Sequence, residues 1–428
     1  MVNYGQKLPL LSIIIPTRNR QKYAISAITS ILDNISTLDL ELVVQDNSDS
    51  RDLEEYICSN VKDSRLRYNY TPTPLSFVEN FNTAVKLASG KYLCIIGDDD
   101  GVNPEIIGAT RWADKNNIDA LNPIIRAVYF WPESGVPTSL FIKNVSTSGV
   151  FRISLFSGKF INSNPKGELK KLVQNGGFRY LETEIPRLYH GIVKRKCLDK
   201  IRKKTGVFFG GLTPDVYIAV SIANFAKNVV SIDYPLTIAG ASKPSSSAQS
   251  LREGHVGNLE DAPHFQHRGA YQWAEIVPRF YSVETIWADS VVAALRTLKL
   301  NNLLRDFNLS LLSAHCIIYH PKYSRIVLRD MYRGFRIMNK NQLIGTFQLC
   351  YSLLLCCFKR EFLTRFIPKG IKHRIKHLLV LFGRNNNIEI DNVEDIVKAT
   401  EVMINYLREK GKRFSDLVNN KTEYNEKK

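Results

Sequence analysis

At 428 residues with 44% apolar side chains, the chain can bury a large core and is long enough for two domains, which excludes disorder except at its ends. A formal net charge of +17 calls for a polyanionic partner, either nucleic acid, a phosphorylated substrate or an anionic membrane surface. Seven cysteines (Cys58, Cys94, Cys197, Cys316, Cys350, Cys356 and Cys357), an odd number with no CxxC pair and mostly within apolar stretches, exclude a disulfide framework and a zinc site. They read as buried thiols of a reducing compartment. Near the N-terminus a lysine precedes LPLLSIII, which is short for a signal-peptide core and passes into polar PTRNR without a small-residue cleavage site, so a cytoplasmic protein is expected.

The first third alternates strands and helices. Leu11 to Ile15 is a β-branched run stopped by Pro16, and Ala24, Ala27, Ile28, Ile31 and Leu32 then recur at helical spacing between Tyr23 and Asn34. Leu40 to Val44 predicts a second strand, ending at Gln45-Asp46-Asn47-Ser48-Asp49, and Leu66 to Tyr70 a third. Ser76 and Glu79 form a capping box opening a helix with Phe77, Phe81, Ala84 and Ala88 inward and Gly90 just past its end. Lys91 to Ile96 is the strand that delivers Gly97-Asp98-Asp99-Asp100-Gly101. Repeated β-α-β units imply a parallel sheet with ligands beyond its C-terminal strand ends, where Asp46 and Asp98 to Asp100 both fall. Neither GxGxxG after the first strand nor GxxxxGK[ST] anywhere supports a dinucleotide fold or a P-loop. Three adjacent carboxylates repel one another unless a cation neutralises them.

The series LSIIIPTRNR, VVQDNSDS and ASGKYLCIIGDDDGVNPE resembles the family 2 glycosyltransferases, strongly over about the first 125 residues and more loosely over the next hundred. The resemblance implies an α/β fold of GT-A type: a Rossmann-like nucleotide-sugar-binding domain with a mostly parallel sheet, followed by a C-terminal helical region. Residues 1–125 are expected to form the nucleotide-sugar-binding half, 126–240 the acceptor-binding half, 241–268 an active-site lid loop and 269–428 a basic helical region. By the same resemblance Asp46 accepts a hydrogen bond from the base, where the residues alone also allow a turn cap, and Pro16, Thr17 and Arg18 lie beside it, with the Arg18 guanidinium able to stack on the ring. Arg18 departs from the family's more usual aromatic or Tyr-Asn version, which leaves the base open among uracil, thymine and guanine. The DXD element's usual first Asp falls at Gly97. Asp99 therefore matches the principal metal ligand, with Asp98 near the ribose or metal-bound water and Asp100 in support. A Mn2+ or Mg2+ ion there would stabilise charge on a departing nucleoside diphosphate.

The acceptor half is less regular. Its notable feature is Gly210-Gly211-Leu212-Thr213-Pro214-Asp215, with Thr213 as N-cap and Pro214 as the first helical residue. In the family an Asp near the start of such a helix is the general base, and Asp215 is the match; complementing the helix dipole is the blander role. Glu182 and Glu184 stand in reserve. Ala241 to Arg268, long for a loop, carries His255, His264 and His267, and the resemblance lets a lid histidine, His255 the best placed, reach the metal or diphosphate. His190 reads as a strand residue facing either acceptor or core.

Tyr271 to Leu300 reads as one helix with Trp273, Val277, Phe280, Trp287, Val291 and Leu295 on its apolar face. Beyond it, Pro321 to Arg384 concentrates the positive charge, including Arg325, Arg329, Lys359, Arg360, Lys372, Arg374 and Lys376 against only Asp330 and Glu361. Within it the uncharged Gln342 to Phe358 is slightly short for a bilayer span, which favours helices on an anionic membrane surface, with a buried core helix as the alternative. No nucleic-acid recognition module is present. Val393 to Lys410 predicts a final amphipathic helix. The expected function is an inverting, metal-dependent glycosyltransferase using a UDP-, dTDP- or GDP-linked donor and a saccharide or lipid-linked saccharide acceptor, in bacterial surface polysaccharide synthesis on the inner face of the membrane. The alternatives are a nucleotidyltransferase or a non-catalytic carbohydrate-binding scaffold on the same fold.

Overall fold

The computed structural model describes residues 8–135, 148–245, 256–357 and 387–418. Strand β1 (Leu11–Thr17) is buried along its whole length, with α1 (Gln21–Asn34) following it. Leu11, Ile13 and Ile15 join one apolar cluster with Ala24, Ile28 and Ile31 of α1, while Ile14 joins another with Val78 and Phe81. Burial on both faces is why this strand is a continuous apolar run rather than an alternating one. Next come β2 (Leu40–Asp46), α2 (Asp52–Asn60), β3 (Leu66–Tyr70), α3 (Phe77–Leu87), β4 (Tyr92–Ile95), β5 (Gly101–Val102), α4 (Ile106–Lys115), β6 (Ala120–Pro123) and β7 (Ala127–Phe130). The capping box of Ser76 and Glu79 forms as expected. Phe77, however, is half exposed and turns outward, packing on Phe81 and edge-on to His264. Helix α2 escaped sequence reading because only Leu53 and Ile57 anchor it.

The second half adds β8 (Val150–Ile153), β9 (Phe160–Ser163), α5 (Pro165–Gln174), β10 (Ile192–Lys194), α6 (Arg195–Thr205), α7 (Pro214–Phe225), β11 (Val229–Ile232), β12 (Thr237–Ala241), β13 (Val256–Gly257) and β14 (Tyr281–Ser282). Eight strands form the main sheet in the order β3-β2-β1-β4-β10-β6-β11-β9. The first four are mutually parallel, so the ends of β2, β1 and β4 open on one edge; β10 runs antiparallel to its neighbours β4 and β6. A second sheet, completed by β15 (Ile388–Asp391), has the order β15-β8-β7-β12-β5.

The C-terminal helices are α8 (Val283–Thr297), α9 (Asn301–Arg305), α10 (Leu309–Tyr319), α11 (Ser324–Ile337), α12 (Gln342–Cys357) and α13 (Ile396–Glu409). Two expectations change here. The helix predicted from Tyr271 begins only at Val283, where Ser282 and Thr285 form its capping box. Trp273, Val277 and Phe280 are buried nonetheless, in an irregular segment held by Asp289, which accepts from Tyr271 OH and from the Ala274 amide. The end of the chain also leaves the helical region: β15 pairs with β8, and Ile396, Ala399 and Met403 of α13 join the core of the N-terminal half, where Ser30 donates to Thr400. The six cysteines whose side chains are described form no disulfide with one another.

Candidate active site

The acidic triplet follows β4 at the parallel edge and is held from three directions. Thr17, at the end of β1, donates to Asp98 Oδ2 at 2.6 Å. Arg20, at the mouth of α1, reaches Asp98 Oδ1 with Nε at 2.6 Å and Asp99 Oδ2 with Nη2 at 2.9 Å. From β12 the Gly240 amide donates to Asp100 Oδ1, and the amide and hydroxyl of Ser242 donate to Asp99 Oδ2. Trp131 adds an indole N–H to the Asp99 carbonyl at 2.9 Å. All three carboxylates are buried. Burial, and behind it the neighbouring Asp99 charge, pushes Asp98 up to about 6 and Asp100 up to about 7. Burial works against the charge of Arg20, but Asp98 and Asp99 outweigh it and hold its pKa above the ordinary arginine value.

The second half of the chain meets this cluster through the segment before β10. Tyr189 bridges to Ile95 and donates its hydroxyl to Asp100 Oδ2 at 3.0 Å. His190 precedes the strand rather than lying in it, has a left-handed backbone with φ of 61°, and brings Nε2 to 3.4 Å from Asp100. Burial lowers its pKa to about 4, so the ring is neutral near pH 7. Arg187 lies against the Tyr180 ring and donates to the Thr183 carbonyl. Its charge helps to lower the pKa of His190 and opposes the rise at Asp215.

Asp215 occupies the first turn of α7, after Thr213 at the N-cap and Pro214. The preceding loop is clamped by Ser290 of α8, whose hydroxyl accepts from the Leu212 and Thr213 amides. Burial raises the Asp215 pKa against the pull of helix-start amides and Arg187. Thr213 makes no side-chain cap, and its Oγ1, Arg187 Nε and His190 Nδ1 are buried without a hydrogen-bond partner among the described residues.

The remaining candidates are distributed as follows. Asp46 is fully buried at the end of β2, in register with Thr17, and accepts from Ser48 at Oδ1 and from Tyr68 OH at Oδ2. Pro16 pairs with Gln45 in the sheet, and Arg18 donates to Asp49 and to the Leu75 carbonyl at the rim. Glu182 and Glu184 are exposed; Glu182 pairs with Arg179 and Glu184 accepts from Ser231. His255 lies outside the described residues, as do Lys359, Arg360, Lys372, Arg374 and Lys376. Sequence reasoning missed Arg20, Arg187, Tyr189 and Ser242. The second basic residue of PTRNR, opposite a triple carboxylate, was the one available signal.

Among the described residues no group of three or more His, Cys, Asp or Glu side chains is arranged to hold a metal ion by itself. That does not disqualify a cation of the magnesium type, which needs only one or two carboxylates when a substrate diphosphate supplies further oxygens. Asp99 suits this role best: its protein hydrogen bonds gather on Oδ2, whereas both oxygens of Asp100 accept protein donors.

Gly240 makes the close approach of β12 to the triplet possible. A Cβ there would sit 1.9 Å from the Asp99 carbonyl oxygen, a backbone atom that cannot rotate away. Gly240→Ala is expected to destabilise the fold by about 1–3 kcal/mol or more and to displace the triplet, read as a lower midpoint in chemical denaturation. A variant as stable as the parent would mean that β12 and the triplet move apart freely.

Parallel strands that end in acidic residues, followed by a second half that carries Asp215 at a helix start, form a mixed α/β architecture. Residues 12–130 match the family model described as Glycosyl transferase family 2. The chain is 37% identical over 98 residues to the GalNAc(5)-diNAcBac-PP-undecaprenol beta-1,3-glucosyltransferase of Campylobacter jejuni, covering 22% of this chain and 30% of that one. It is 34% identical over 97 residues to the putative colanic acid biosynthesis glycosyl transferase WcaA of Escherichia coli, covering 22% and 34%. It thus spans about a third of the length of these curated relatives. Among solved structures, S. aureus TarS 1–349 in complex with UDP-GlcNAc aligns over 77% of this chain and 90% of that one, with 15% identity and a TM-score of 0.42.

Proposed function

We propose that the protein is an inverting glycosyltransferase that moves a sugar from a nucleotide-sugar donor to a saccharide acceptor. The observation that carries this reading is the buried Asp98–Asp100 cluster at the parallel strand ends of a region that matches the family 2 model, joined through Tyr189 and His190 to the half of the chain that holds Asp215 at the start of α7. The donor occupies the strand-end side, with Asp46 and Arg18 toward the base and Thr17 and Asp98 toward the ribose. Asp215 takes the proton from the acceptor hydroxyl as that oxygen attacks the anomeric carbon opposite the departing diphosphate, so the centre inverts. Arg187 and Thr213 orient the acceptor beside Asp215. His190, neutral and braced by Asp100, offers Nδ1 to a polar group of either substrate. A divalent cation held by Asp99, with Asp98 and Asp100 in support, would stabilise charge on the leaving diphosphate.

A lipid-linked saccharide acceptor fits best. The name of the Campylobacter relative specifies a PP-undecaprenol-linked glycan, and that of the Escherichia coli relative colanic acid biosynthesis. By extension the enzyme works in O-antigen or capsule synthesis, at the inner face of a bacterial membrane. Incubation with UDP-, dTDP- and GDP-sugars and Mn2+ is expected to release nucleoside diphosphate from one donor class and to label an undecaprenyl-linked glycan. Release of sugar 1-phosphate would identify a nucleotidyltransferase, and no turnover of any donor would favour a carbohydrate-binding scaffold.

A further inference from the structure

Helix α12 has apolar groups on two sides. Its sequence, QLIGTFQLCYSLLLCC, contains no charged residue over 16 positions. One side is packed: Gly345 lies against the Phe335 ring, its carbonyl accepts from Ser310, and Leu349, Ser352 and Cys356 are buried. These positions recur at helical spacing, as a core-facing stripe should. The opposite side should then be polar. Instead it presents Leu343, Ile344, Phe347, Tyr351, Leu354 and Leu355, each between 47% and 77% exposed. A contiguous apolar patch of this kind marks an interaction surface.

We infer that the outward face of α12 inserts into the boundary of an anionic lipid bilayer, with the helix lying in the membrane plane. Two observations select this occupant. First, over its described residues α12 is packed on the protein along one face and apolar on the exposed one, the arrangement of a helix lying in an interface. Second, α11, which packs beside α12 through Tyr332 and Thr346, is cationic: residues 321–340 hold six Lys and Arg against the single Asp330, which pairs with Arg329 and Arg333, and Lys322, Arg325 and Arg336 are exposed. Anionic headgroups attract such cations while the acyl boundary takes the apolar side chains. A second copy of the chain docked through the same face would bring two like-charged rims together, which opposes association.

This inference names the surface behind the proposed membrane location but does not depend on the transferase reading. The test is flotation of the full-length protein with vesicles of phosphatidylcholine alone or with phosphatidylglycerol, comparing the parent with Leu343→Gln, Phe347→Gln, Tyr351→Gln and Leu354→Gln combined. These side chains are solvent-facing, so the variant is expected to keep its thermal midpoint and its turnover of soluble donor. Its binding to phosphatidylglycerol vesicles is expected to fall at least tenfold. Equal binding by parent and variant, or none by the parent, overturns the inference. So does a parent oligomer that the variant dissolves in sedimentation, which would make a second copy the occupant, and so does a lowered thermal midpoint, which would mean the protein itself covers the face. Loss of vesicle binding with donor turnover intact separates this inference from the proposed chemistry.

Discussion

Asp215→Asn is expected to leave donor binding unchanged and to lower sugar transfer by about 10²–10⁴-fold, the range contributed by a positioned general base. The amide preserves the shape of the side chain at the start of α7 and removes only its ability to take a proton. The pH profile of the parent supplies an independent check. Burial raises the Asp215 pKa, and a base works only when ionised, so kcat/KM should decline as the pH falls through a value above the ordinary aspartate range. That acid limb should vanish in the variant. If transfer survives in Asp215→Asn but disappears in Glu182→Gln or Glu184→Gln, the base belongs on the other side of the acceptor half.

Asp99→Ala should act on the donor instead. It removes the partner of Arg20 Nη2 and of both Ser242 donors, together with the carboxylate proposed for the cation. Turnover is expected to fall by about 10²–10³-fold, the size of effect seen when one group stabilising transition-state charge is removed. A readout free of turnover is Mn2+ binding followed by electron paramagnetic resonance, with and without nucleoside diphosphate; the parent should bind the ion more tightly with nucleotide present, and the variant should lose that gain. Full activity of the parent in excess chelator would show that Arg20 alone neutralises the triplet and that no metal takes part.

The elements that carry the donor side were legible because their signals are local. A β-branched run stopped by Pro16, a capping box at Ser76 and Glu79, and an apolar strand ending in three carboxylates each lie within a few residues, and each forms. Where a local signal was absent, reading failed: α2 has too few buried positions to show a period, and Tyr271 to Phe280 is apolar because it is buried, not because it is helical. Burial and helicity produce the same composition. The Ser282 capping box, together with the side chain of Asp289 placed over the preceding backbone, decides between them.

By itself the sequence determined the order of the strands and helices in the donor half, the delivery of Asp98 to Asp100 to the end of a buried strand, and the position of Asp215 at a helix start. These follow from backbone periodicity and capping, which operate over one or two turns. Only the tertiary structure decided which protein groups hold the triplet. Arg20 lies 78 residues from Asp98 along the chain, and Ser242 lies 143 residues from Asp99. The return of α13 to the N-terminal core and the pairing of Tyr189 and His190 with Asp100 are equally long-range. A residue leaves little local trace of a partner that distant, because the contact is made by tertiary packing rather than by the chain beside it.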